Sequence, residues 1–128
     1  MNNRLTFRKA ERLSLKRETD GLFNHGKAFI SYPLRVVYLE QKPLLGEKVS
    51  VLISVPKRRI KLAVNRNRLK RLIREAYRLN KSTLIKHFEE EENGLLIAFL
   101  FVGNELFDWK EIEAAMQKAL VILKEKTE

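Results

Sequence analysis

Between positions 57 and 81 the chain reads KRRIKLAVNRNRLKRLIREAYRLNK, with eleven of its 26 Lys and Arg and only one of its 16 acids. That stretch alone carries a formal charge of +10, which is the net charge of the whole protein. Guanidinium groups present forked N–H donors that match phosphate oxygens, and each phosphate neutralised releases counterions. The chemistry on offer is recognition of a polyanion. At about 100° per residue, Leu69, Leu72, Ile73 and Ala76 share one arc of a helix with Tyr77 at its edge. Asn67, Lys70, Arg71, Arg74 and Arg78 point away from that arc. Arg66, Lys70, Arg74 and Arg78 also form an i, i+4 row of like charges, which weakens an isolated helix. The bland alternative is a solvated positive face with no ligand. A density of six cations on one helix, with Glu75 as the only acid among them, makes binding the stronger reading.

Other chemistries find little to work with. There is no Cys, hence no thiol nucleophile, disulfide framework or Cys-based zinc site. The two histidines, His25 and His87, read as a partner for a helix C-terminus and as a surface residue. No Gly-rich phosphate loop occurs, and the acidic run over 89–92 sits in a solvated turn. A two-metal nuclease needs carboxylates converging beside the bound phosphate, and the basic stretch has only Glu75, a natural ion-pair partner for Arg71 or Arg78. No catalytic residue and no metal site of the protein's own is expected. The chain reads as a binder.

Positioning those cations requires a folded scaffold, and 128 residues with 45% hydrophobic content can supply one domain with a real core. Residues 1–12 read as a basic, mobile arm and 13–128 as a single α+β domain. A net charge of +10 points to nucleic acid or an anionic membrane. No apolar run is long enough to span a bilayer, and the basic helix has only a modest aliphatic face, so nucleic acid is the better partner. No signal core follows the basic N-terminus, which leads to an expected cytoplasmic location.

The elements follow in order. A short helix from a Ser14 cap toward Asn24 buries Leu15, Leu22 and Phe23, and Gly26 is placed to end it in a left-handed conformation. Strand-like runs cover 27–31, 34–40 and 48–55, the last two joined as a hairpin through 41–47, in a small antiparallel sheet. Pro56 ends the third strand because it cannot donate to a ladder. The basic helix begins near 62–65 and ends near Asn80, with a further turn over 82–88. Residues 95–102, LLIAFLFV, form an unbroken apolar run, so burial on both faces and a central place in the sheet are expected. Asp108 and Glu111 make a capping-box pair for a last helix whose core stripe includes Trp109, Ile112, Met116 and Leu120.

The string AVNRNRLKRLIREAYR at 63–78 resembles the RNR signature helix of the bacterial ribonuclease P protein subunit, a long pattern of the form A-V-x-R-N-R-x-K-R-x-x-R-E. The resemblance extends from about Arg12 to Leu123. It implies a two-layer sandwich of order α-β-β-β-α-β-α with a ribosomal-protein-S5-like fold. It also implies a ribonuclease P RNA as partner, which hydrolyses precursor tRNA at its mature 5′ end using Mg²⁺. By that likeness Arg66, Asn67, Arg68, Lys70, Arg71, Arg74 and Arg78 would face the catalytic RNA. The single-stranded 5′ leader would lie between the first helix and the sheet, touching Phe23, Lys57 and Arg58. Phe23 is equally readable as a plain helix-to-sheet contact. Where the family has a second aromatic, one turn before Phe23, this chain has Thr19, so Phe29 or Tyr38 are expected to stand in. The connection over 56–61 is one residue longer than in many members and has no Gly. A small ribosomal or RNA-chaperone protein, with no part in cleavage, is the competing reading of the same fold and charge.

Overall fold

The computed structural model describes residues 16–42 and 48–127. In chain order these form α1 (Lys16–His25), β1 (Lys27–Ser31), β2 (Leu34–Gln41), β3 (Val49–Ser54), α2 (Ala63–Asn80), α3 (Ser82–Glu89), β4 (Gly94–Phe101) and α4 (Trp109–Thr127). The expected sequence of elements is present, and the extra turn expected over 82–88 is a helix of eight residues. The arm over 1–12, the Ser14 cap, Leu15 and the loop stretch 43–47 lie outside the described residues, as does the side chain of Thr19.

The four strands are ordered β1-β2-β4-β3. β2 pairs with β4 antiparallel from Leu34↔Phe101 to Gln41↔Gly94, and β3 pairs with β4 in parallel from Val49↔Leu95 to Ser54↔Leu100. The expected β2–β3 hairpin and all-antiparallel sheet are therefore corrected: β4 stands between β2 and β3, and the sheet is mixed. The reason lies in β4 itself, whose apolar run needs cover on both faces and a neighbour on both edges. The return from β3 through α2 and α3 is the long crossover that a parallel neighbour requires.

Alternation along the strands divides the sheet into two faces. Leu34, Val36, Tyr38, Val49, Val51, Leu95, Ile97, Phe99 and Phe101 join the main core with Leu69, Ile73 and Tyr77 of α2, Leu84 and Phe88 of α3, and Met116 and Leu123 of α4. Leu22 of α1 packs on the other face against Val37, Leu96 and Ala98. The two-layer sandwich thus carries α1 as a partial cover on its reverse side. Gly26 ends α1 without a left-handed backbone, and its N–H reaches the Leu22 carbonyl at 2.8 Å. A Cβ there would stand 2.9 Å from the Tyr38 carbonyl oxygen, so glycine is required by the close approach to β2. At α4 the capping box forms as expected: the Asp108 N–H donates to Glu111 Oε1 at 3.1 Å and the Glu111 N–H to Asp108 Oδ1 at 2.9 Å.

Candidate nucleic-acid interface

The approach to α2 is built as a rigid entry. Pro56 starts a turn in which the Arg59 and Ile60 N–H groups both donate to its carbonyl, at 3.0 and 3.2 Å. Ile60 is buried and pins the turn to the core, while Lys57 and Arg58 stay exposed at its tip. Leu62, in an extended conformation, precedes the helix without any side-chain cap, and the first turn contains no acid. Instead Arg66 folds back, its Nη1 donating to the carbonyls of Ile60 at 3.0 Å and Lys61 at 2.7 Å. At the far end Asn80 donates to the Ala76 carbonyl at 2.8 Å and accepts from Gln117 of α4 at 3.2 Å. Tyr77 lies against Phe99 of β4 with ring centroids 5.8 Å apart. Helix α2 is held along one face and at both ends, so its outer face is presented by a fixed scaffold.

Placement of the cations refines the helical-wheel expectation. Asn67, Arg68 and Arg71 are exposed; Arg66, Lys70, Arg74 and Arg78, the i, i+4 row, are half-buried along the flank. Arg66 sits nearest the buried arc, which is why part of its guanidinium serves the backbone. Arg78 forks onto Glu75: its Nε reaches Oε2 at 3.0 Å and its Nη2 pairs with Oε1. The hydrogen bond from Arg78 holds the Glu75 carboxyl below its ordinary range, and the same bond holds the guanidinium on its proton. Of the two partners proposed for Glu75, Arg78 is the one engaged. Arg74 Nε is buried with no hydrogen-bond partner among the described residues. Lys81 is buried at the end of α2, its Nζ 6.0 Å from the Tyr77 ring centre, and contributes nothing to the surface.

On the reverse face of the sheet the residues expected to hold a single strand separate into two groups. Phe23 on α1 is 46% exposed. Phe29 and Tyr38 do not join it: they meet each other edge-on at 6.0 Å on the α4 face, and burial with Glu40 nearby pushes the Tyr38 phenol up from 10.0. The expectation that they replace the missing aromatic is therefore corrected, because strand alternation points them away from α1. What the reverse face leaves open is a row across all four strands, Ile30–Arg35–Leu100–Ser54, set by the pairings Ile30↔Arg35, Arg35↔Leu100 and Ser54↔Leu100. Ile30 and Arg35 are exposed, and the row ends two residues before the turn bearing Lys57 and Arg58. The sequence reading missed this row. Its signal was Arg35 standing between core-facing Leu34 and Val36.

Among the described residues no group of three His, Cys, Asp or Glu could hold a metal ion, and no helix is long and apolar enough to cross a membrane. The arrangement is a one-sided basic helix, a basic turn and an open strip of sheet. Residues 7–124 match the family model for ribonuclease P. The chain belongs to the ribonuclease P protein family. Across 113 residues it is 49% identical to a ribonuclease P protein component of Porphyromonas gingivalis, covering 88% of this chain and 82% of that one. A second ribonuclease P protein component, from Chlorobium phaeobacteroides, is 39% identical over 109 residues, 77% of this chain and 73% of its own. In fold it resembles the solved ribonuclease P protein of Staphylococcus aureus, with a TM-score of 0.70 at 22% identity over 91% of this chain and 97% of that chain. The Thermotoga maritima ribonuclease P protein gives 0.65 at 24% identity, over 86% and 94%. As a ribonuclease P protein component the chain takes part in the ribonuclease P holoenzyme and in tRNA processing.

Proposed function

We propose that this protein anchors a catalytic ribonuclease P RNA through the outer face of α2 and guides the 5′ leader of precursor tRNA over the reverse face of the sheet. The observation that carries the reading is the concentration of the entire +10 net charge in one segment, mounted on a helix whose opposite face is buried. Two polyanions repel each other, and a fixed set of cations between them lowers the Mg²⁺ that the RNA needs to bind its substrate. Mg²⁺ and the hydrolytic step belong to the RNA; the protein supplies charge and position.

Asn67, Arg68 and Arg71 are the foremost contacts, with Lys70 and Arg74 along the flank. Arg66 acts first by fixing the helix entry. Arg78 presents a guanidinium already shared with Glu75, so its contribution to phosphate binding is smaller. Lys57 and Arg58, on the turn after β3, take the leader's phosphates, and Phe23 with the row from Ile30 to Ser54 forms its floor. The arm over 1–12 adds charge to a domain spanning 13–128, and the complex works in the cytoplasm.

The test is cleavage of a precursor tRNA at low, near-physiological Mg²⁺ by the protein alone, a bacterial ribonuclease P RNA alone, and both together. Efficient leader release only by the mixture is the expected result. Cleavage by the protein alone, or no gain from adding it to the RNA, would overturn the proposal. Replacing the exposed Arg68 and Arg71 together with Ala should leave the fold intact and remove tight RNA binding, measured by filter retention.

A further inference from the structure

Beside the first turn of α2 lies a recess of about 350 Å³ walled by Ile60, Leu62 and Leu106, with Asn65, Asn104 and Arg59 around it. We infer that it receives a single unstacked nucleobase of the RNA held by the basic helix, an inference that rests on the RNA-binding reading above. Leu62, in the most cationic stretch of the chain, is 63% exposed, and Leu106, beside Glu105, is 45% exposed. Large aliphatic groups left in water there call for a partner that is apolar where it touches them and negative around them. Protein surfaces that are acidic with an apolar centre meet that description only in part, since Asn65 and Asn104 also require hydrogen-bonding edges. A base that has left its stack meets it fully: its face is apolar, its edge carries donors and acceptors, and phosphates flank it on both sides.

The polar groups are already arranged for such a guest. Arg59 Nη1 donates to Asn104 Oδ1 at 3.2 Å, which leaves the Asn104 NH₂ as a donor for a base acceptor. Asn65 supplies an amide of both kinds, and the Glu105 carboxylate on the rim accepts from an exocyclic amino group. Lys61, exposed on the other rim, lies where a flanking phosphate would pass. The volume is at the small end of the range for ligand sites, which suits one base and excludes a duplex. One wall is preformed: Ile60 is buried, and the carbonyls of Ile60 and Lys61 are both held by Arg66. Binding there orders little that is not ordered already.

The experiment uses the full chain and a bacterial ribonuclease P RNA, comparing wild type with the double variant Leu62→Gln, Leu106→Gln and, separately, with Arg68→Ala. Both leucines are exposed, so an unchanged thermal melt is expected and is measured first. The double variant should bind about tenfold more weakly with an unchanged dependence on salt, whereas Arg68→Ala should lower the salt slope by about one. Probing of unpaired bases with dimethyl sulfate and carbodiimide should show one base protected by wild type and by Arg68→Ala at saturation, but reactive in the double-variant complex. Equal affinity and equal protection with the double variant would overturn the inference while leaving the RNA-binding reading intact. Failure of wild type to bind the RNA would overturn both.

Discussion

Helices α2 and α4 pack against each other and are almost the same length, 18 and 19 residues, yet they follow opposite rules. α4 opens with the reciprocal Asp108–Glu111 cap, has an acid in its first turn and ends with Lys124 and Lys126, as the helix dipole favours. α2 has no side-chain cap, no acid in its first turn, and a row of like charges along its flank. The first keeps favourable local end chemistry in addition to burying Ile112, Met116, Ala119 and Leu123. The second is held in place by burial of Leu69, Ile73, Ala76 and Tyr77 and by fastening at both ends. Local rules are kept in α4 and broken in α2, the helix proposed to meet RNA, which is the pattern expected of a functional surface.

The sharpest way to break that comparison is to empty α2's buried face. Ile73→Ala, at a fully buried site, should cost about 2–5 kcal/mol of stability in chemical denaturation, with RNA affinity lost only as the protein unfolds. Replacing Arg68 and Arg71 with Ala should do the reverse. Each loss weakens RNA binding by roughly tenfold or more, and the salt slope falls by about two, while stability stays within about 0.5 kcal/mol of wild type.

Exchanging the helices' end chemistry sharpens the contrast further. Asp108→Ala should lower stability by about 1 kcal/mol without touching RNA affinity. Leu62→Asp gives α2 the cap and the acid it lacks, and should raise the melting temperature while weakening RNA binding.

The smallest effect concerns Glu75. Because Arg78 holds it ionised below its ordinary value of 4.5, its contribution to stability is present above about pH 4.5 and fades as pH falls through the lowered pKa. Both side chains are partly exposed, so this contribution is small. Glu75→Gln takes the carboxylate away from Arg78 and removes one negative charge from this face. A slight gain in RNA affinity at low salt, vanishing at high salt, is the expected result in a titration series.

Much of this was legible in advance. The span of α2 was readable because its apolar residues recur at helical spacing, and the α4 cap because Asp108 and Glu111 stand three apart before an apolar stripe. The uninterrupted run in β4 announced a central strand. The role of Arg66 was not legible: the wheel places it at the edge of the buried arc, between Ile73 and Tyr77, and only the fold of 56–61 brings two carbonyls within its reach. Phe29 and Tyr38 were assigned to the wrong side of the sheet although alternation placed Tyr38 with Leu34 and Val36.

The sequence by itself determined which segments form helices and strands, where the charge lies and which family the chain resembles. These depend on periodicity, composition and local capping, all of which act over a few residues. Tertiary structure alone decided that β4 separates β2 from β3, that Arg78 rather than Arg71 takes Glu75, and that Leu62 and Leu106 meet at one recess. Each of those depends on contacts between residues far apart in the chain or on one rotamer among several, and neither is encoded in spacing.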